Sequence, residues 1–319
     1  MPAGKGSCKV RLGFVANYSP ERARFAEETG FTCLQLSAWP GSALDPDAVS
    51  PAEARALRAD LASRGIAISG LGYYPNLLDP DEAVQGDLMR RFRAVMRLAS
   101  DMEVPLVSTI AGRDPELTIP QNMPRFADLF GALADEAPAL GIRIAVENCP
   151  LMDRLSLKAI NLAISPEVWA EMFRLVPSPA LGLEFDPSHL VWQGIDYVAA
   201  IEEFGPRILH VHAKDMEINK RILARGGIYG QVFGSPYAYG HGWWRARLPG
   251  WGEIDWAALV TALRDAGYAG DVNIEHEDDV FARDLSVKVF ASGGDVVDSY
   301  SSDQEGLRLG YRALSRFIN

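Results

Sequence analysis

The 319-residue sequence is poor in cysteine and histidine, short of net positive charge, and without a long apolar run. Its three cysteines, Cys8, Cys33 and Cys149, form no CxxC pair and are odd in number, which argues against a disulfide framework. No stretch of about 18 apolar residues is present to span a bilayer. The N-terminal MPAGKGSCKV lacks the apolar core of a secretory signal, so a cytoplasmic chain is expected. Basic residues number 31 against 42 acidic ones, a net charge of −11. Nucleic-acid binding draws on clustered Lys and Arg, so this balance weighs against a nucleic-acid partner. It gives no reason to expect an anionic membrane either. No GxGxxG follows the first apolar run, which removes the main support for a dinucleotide-binding fold.

What is present is a rhythm. Short β-branched runs read as strands at Val10–Val15, Cys33–Ser37, Ile66–Leu71, Pro105–Ile110, Arg143–Val146, Leu181–Phe185, Ile208–Val211 and Val272–Ile274. Helical stretches alternate with them: Pro20–Thr29, one starting at Ser50-Pro51, Asp81–Met102, Asn122–Leu140, Pro166–Leu175, Ile195–Phe204, Trp256–Ala266 and Asp303–Phe317. Eight such units favour a (β/α)8 TIM barrel over an open doubly wound sheet. The reading is a single α/β domain over residues 1–319, with a Gly- and aromatic-rich insertion at 216–254 after the seventh strand.

In such a barrel, function gathers where strands end at the C-terminal face. The fifth strand ends in Val146-Glu147-Asn148, and the sixth in Phe185-Asp186-Pro187-Ser188-His189. The seventh runs His210-Val211-His212-Ala213-Lys214-Asp215, and the eighth ends in Ile274-Glu275-His276-Glu277. Three carboxylates converging on one rim repel each other unless a cation neutralises them. Glu147, Asp186, His212 and Glu275 therefore read as ligands of one divalent ion. Oxygen-rich donors with one imidazole suit Mn²⁺ foremost, with Mg²⁺, Co²⁺ or Zn²⁺ as alternatives. Period two puts His210 and His212 on one side of their strand, with His210 a layer deeper. His189 is expected in the loop after the sixth strand. His276 points towards the helices, and His241 lies on the surface of the insertion.

At these residues the sequence resembles the xylose-isomerase-like barrel superfamily, in its sugar phosphate isomerase/epimerase branch. The pieces are VENCP at Val146–Pro150, LEFDPSH at Leu183–His189, HVHAKD at His210–Asp215, PGWGEIDW at Pro249–Trp256 and VNIEHEDD at Val272–Asp279. The resemblance implies the same four metal ligands, with Glu147 and Glu275 also acting as acid and base and His189 touching substrate. It implies a keto sugar or related polyol as substrate, and an isomerase or epimerase that abstracts a proton next to a metal-bound carbonyl. The family's arginine after the metal histidine is missing from Lys214-Asp215-Met216-Glu217-Ile218. Arg245 and Arg247 are the candidates for its role, Lys214 for a further substrate contact and Trp39 for a pocket wall. A lyase performing β-elimination on a 3-keto-glycoside is the alternative, since the insertion's Trp- and Gly-rich character is similar to that of deglycosidases. A non-catalytic sugar-binding or partner subunit is a further one. Three-zinc endonuclease-like relatives need histidines that the third and fourth strands lack. The exposed aromatic insertion makes a homo-oligomer an expectation as well.

Overall fold

A computed structural model describes residues 10–152, 156, 158–231, 233–234, 242–282 and 303–318. Cys8 and His241 lie outside the described residues. The strands and helices alternate: β1 Leu12–Ala16, α1 Pro20–Thr29, β2 Cys33–Ser37, α2 Pro51–Ser63, β3 Ala67–Gly72, α3 Glu82–Asp101, β4 Leu106–Thr109, α4 Ile119–Glu136 and β5 Arg143–Glu147. Then come α5 Pro166–Leu175, β6 Leu181–Phe185, α6 Pro187–Gln193, α7 Tyr197–Phe204, β7 Ile208–Ala213, β8 Asp215–Ile218, α8 Lys220–Gly226, β9 Trp244–Arg247, α9 Trp256–Asp265, β10 Val272–Ile274 and α10 Gln304–Leu314.

Strands β1 to β7 and β10 close a parallel barrel in the order β1-β10-β7-β6-β5-β4-β3-β2. This is the expected (β/α)8 barrel, with β10 as its eighth strand. Strands β8 and β9 form a separate antiparallel ribbon within the insertion after β7. No described helix is long and apolar enough to cross a membrane.

Local chemistry explains where the helices start. Ser50 and Glu53 form a capping box at α2, and Thr118 and Gln121 form another at α4. The second box moves the start of α4 ahead of the expected Asn122. The short helix α6 was not expected at all. Asp186 caps it through Ser188 N, Pro187 suits its first turn, and Gly194 ends it in the left-handed region at φ 73°. His189 therefore stands on a helix rather than in a loop. Strand β7 runs two residues beyond Val211, because His212 and Ala213 pair with Asn273 and Ile274 of β10.

Alternation along the strands sorts the core. Phe185 faces the helices and meets Trp169 of α5, and Phe14 of β1 meets Phe25 of α1. Their neighbours Glu184, His210, His212, Gln35 and Asn273 turn inward and are fully buried. The strand register slips at Leu34/Gln35 and again at Leu183/Glu184. Both slips fall at residues that bond each other across the barrel, as Gln35 Nε2 donates to Glu184 Oε1 at 2.7 Å. Such irregularities re-aim side chains near functional sites.

Candidate metal centre and active site

Each proposed ligand is fixed by the element that carries it. Glu147 closes β5, Asp186 caps α6, His212 lies in β7 and Glu275 follows β10. The structure brings all of them together, with one donor atom of each lying within 4.8 Å of the others. All are buried, at 7% exposure or less for Glu147, Asp186 and His212 and 8% for Glu275. His212 Nδ1 lies 3.3 Å from Glu147 Oε1 and 3.4 Å from Glu275 Oε2. Its other nitrogen, Nε2, is 2.7 Å from Gln35 Oε1.

The Gln35 amide is oriented by its second bond, from Nε2 to the Glu184 carboxylate. Its oxygen can then only accept, so His212 Nε2 donates, and Nδ1 is the nitrogen turned to the carboxylates. Glu184 also accepts from Tyr74 OH at 2.8 Å and pairs with His210 Nδ1 at 2.8 Å. His210 Nε2 lies 3.0 Å from Asn273 Oδ1. The deeper position expected for His210 is the observed one.

The donor set fits a hard divalent cation. Asp186 gives Oδ1 to the helix cap, while its buried Oδ2 accepts no hydrogen bond. Lys214 Nζ stands 3.0 Å from that oxygen without the angles of a hydrogen bond. Three carboxylates and one imidazole with Nδ1 turned to them would offer an ion mixed oxygen and nitrogen donors, once the ion displaces the imidazole's proton. Without an ion, protons balance part of the negative charge. Burial, and then the Glu275 charge, push Glu147 up to about 8. Burial works against Glu275 as well, but Lys214 and His212 hold it below the usual carboxylate range. Burial opposes charge on His212, yet Glu184 and Glu275 raise it well above an ordinary imidazole.

His189 Nε2 is 3.3 Å from Asp186 Oδ2 and 3.9 Å from Glu147 Oε1. Burial, then the Lys214 charge, lower it to about 4, so it is a neutral ring at neutral pH. Trp192 Nε1 approaches its Nδ1 at 3.5 Å, and the Trp192 indole stacks on Trp244 of the insertion, 5.3 Å between centroids and 14° between planes. Lys214 is buried among Glu275, Asp186 and Glu277. Trp39 sits edge-on to Tyr73 at 4.8 Å. His276 packs under α10, where a side chain on Gly306 would run into its ring at 2.2 Å.

Arg247 and Arg245 stand in ion pairs. Arg247 Nε donates to Asp278 Oδ2 at 2.8 Å and its Nη1 meets Glu217, while Arg245 Nη2 meets Glu217 at 2.8 Å. The Arg247–Asp278 pair ties the β8–β9 ribbon to the segment after β10, and the Glu217 pairs join the ribbon's two strands. Asp215 ties it to the barrel. Its Oδ1 accepts from Met216 N and Ile254 N, and its Oδ2 from Gly250 N and Trp256 Nε1, at 2.8 to 3.1 Å. Gly252 packs so closely here that a Cβ would stand 2.3 Å from Asp215 Oδ1. Asp215→Ala strands those buried donors and is expected to cost about 3 kcal/mol. Urea unfolding reads this as a lower midpoint at unchanged slope. A shift of less than about 1 kcal/mol would remove Asp215 as the anchor.

Sequence reasoning missed Glu184, Gln35 and Glu277. Glu184 and Glu277 were in view inside LEFD and EHEDD, and their burial was the signal left unused.

Comparison with known proteins places the chain. It is 26% identical over 285 residues to the uncharacterized protein YfiH of Bacillus subtilis, covering 80% of this chain and 87% of that one. It is 24% identical over 239 residues to an inosose dehydratase of Halalkalibacterium halodurans, covering 71% and 73%. A D-psicose 3-epimerase structure from Clostridium cellulolyticum H10 superposes with a TM-score of 0.66 at 18% identity, over 97% of this chain and 99% of that one. The model of the xylose isomerase-like TIM barrel family matches residues 23–294, and the chain belongs to that family.

Proposed function

We propose that this protein is a divalent-metal-dependent enzyme that moves a proton at the carbon next to a carbonyl of a keto sugar or related polyol, giving epimerisation or isomerisation. One observation carries the reading. Glu147 and Glu275, from strands separated by β6 and β7, converge on His212 Nδ1, and their surroundings push their affinities for a proton in opposite directions. Divergent pairs of this kind divide the roles of acid and base. A divalent ion held by Glu147, Asp186, His212 and Glu275 would supply a Lewis acid for the carbonyl oxygen.

Glu147 and Glu275 are the acid and base of this reading, and before an ion binds, Lys214 and His212 favour the ionised form of Glu275 while burial favours the proton on Glu147. A proton returned to the same carbon gives the epimer, and one returned to its neighbour gives the isomer. His189, neutral and beside two ligands, is placed to hold a substrate hydroxyl. Lys214 and Trp39 are the other substrate contacts proposed. Arg245 and Arg247 are better read as struts of the insertion, since Glu217 and Asp278 hold them.

A second reading keeps the first step and ends in β-elimination from a 3-keto-glycoside. The similarity to an inosose dehydratase and the Trp192–Trp244 stack beside His189 favour it. A 3-keto-glycoside incubated in D₂O with Mn²⁺-loaded protein separates the two. Deuterium uptake without aglycone release is the expected result, and aglycone release supports the lyase. Removal of metal by a chelator should abolish either activity, with Mn²⁺ restoring it. Activity that survives verified metal removal would sink the metal-dependent reading, and Mn²⁺ binding with no turnover of any keto sugar would leave the sugar-binding subunit.

A further inference from the structure

Lys214 comes immediately after β7, and its ammonium is buried inside the carboxylate cluster at 2% exposure. Nζ lies 2.5 Å from Glu275 Oε2, 3.0 Å from Asp186 Oδ2 and 3.0 Å from Glu277 Oε2. One fixed positive charge is therefore shared by two carboxylates of the metal-ligand set and one carboxylate outside it. Glu277 follows Glu275 by two residues and lies outside the donor set of Glu147, Asp186, His212 and Glu275. An ammonium and a divalent ion drawn to the same oxygens repel each other, and burial leaves that repulsion weakly screened. A third carboxylate gives the ammonium a partner that the ion does not use.

From this geometry we infer that Lys214 is a built-in counter-ion of the metal centre. It holds Asp186 and Glu275 together before the ion arrives, and shifts its pairing to Glu277 when the ion takes those two carboxylates. The inference rests on the metal reading above and adds a regulation of affinity to it. The lysine keeps metal binding weaker than the four ligands alone would make it, and Glu277 relieves part of that opposition. The two residues therefore have opposite effects on metal affinity. A lysine that merely braces the ligands would give the same sign for both.

The test titrates the metal-stripped full chain with Mn²⁺ alone and follows the EPR signal of the free ion, for the wild type, Lys214→Met and Glu277→Gln. Lys214→Met is expected to bind Mn²⁺ about tenfold tighter than wild type, because a like charge is removed from a buried site. Glu277→Gln is expected to bind it about tenfold weaker, because the ammonium is left with the ligand carboxylates only. Circular dichroism and thermal melting establish that each variant is folded, and either variant alone gives a sign. Unchanged or weaker binding by Lys214→Met, or tighter binding by Glu277→Gln, overturns the inference while wild-type binding preserves the metal site. A wild type that takes up no Mn²⁺ overturns both.

Discussion

Glu147→Gln is expected to leave the barrel folded and to slow proton transfer by about 10³-fold, within the usual range for removing a positioned acid or base. The side chain keeps its shape, and an amide still fits beside His212 Nδ1, which stands 3.3 Å from Glu147 Oε1. What disappears is the carboxylate that would carry the proton, a group on which burial and the Glu275 charge strengthen the hold on a proton while no ion is bound. The variant also loses one anionic ligand, so its rate has to be measured at saturating Mn²⁺ with the bound metal counted. Deuterium uptake from D₂O by a keto sugar reads the step directly. Glu275→Gln is expected to act similarly. The double variant should be little worse than either single one, because groups acting as a unit are not additive. Uptake at the wild-type rate in metal-loaded Glu147→Gln would falsify the acid role.

The barrel was readable because its rule is periodic. Eight β-branched runs alternate with helices whose starts carry their own signals, such as Ser50-Pro51 with Glu53 and Asp255 ahead of α9. Reading was least accurate where tertiary contacts decide. The ribbon strands Asp215–Ile218 and Trp244–Arg247 have no clear alternation, and they exist because Asp215, Asp278 and Glu217 collect the donors around them. The helix α6 had a signal that was misread: Asp186-Pro187 is a cap followed by a first-turn proline, not only a strand end. The proposed ligands stood out for a different reason. Four successive strand ends in the barrel each present an ionisable residue, and only convergence makes sense of the set. Glu184 was not legible in the same way. It lies inside the barrel, and its reason for being there is Gln35, 149 residues away in sequence. A strand alone does not show whether an inward carboxylate has such a partner.

Glu184→Gln tests whether that hidden network supports the metal centre. Glu184 is fully buried, accepts from Gln35 and Tyr74, and lies within 3.3 Å of both His210 Nδ1 and His212 Nε2. Glutamine keeps the volume but turns an NH₂ group towards donors and removes the charge that faces the two imidazoles. The expected loss of stability is about 3 kcal/mol, the scale of breaking a buried charged network from one side. His212 then loses the partner that helps direct its Nε2 proton inward and its Nδ1 outward. Mn²⁺ affinity should fall by about 10- to 100-fold, the usual consequence of removing a carboxylate that backs a metal histidine. The effect on stability depends on pH with a definite sign. Burial alone would raise Glu184, but His212 and His210 hold it well below the ordinary carboxylate value of 4.5. Its contribution is therefore complete above that value and is lost as pH falls through the lower folded-state value. The gap in urea midpoint between wild type and Glu184→Gln should be wide at neutral pH and narrow in acid. A variant that matches wild type in both Mn²⁺ affinity and neutral-pH stability would leave Glu184 without a role beneath the metal, and the orientation of His212 would then rest on Gln35 alone.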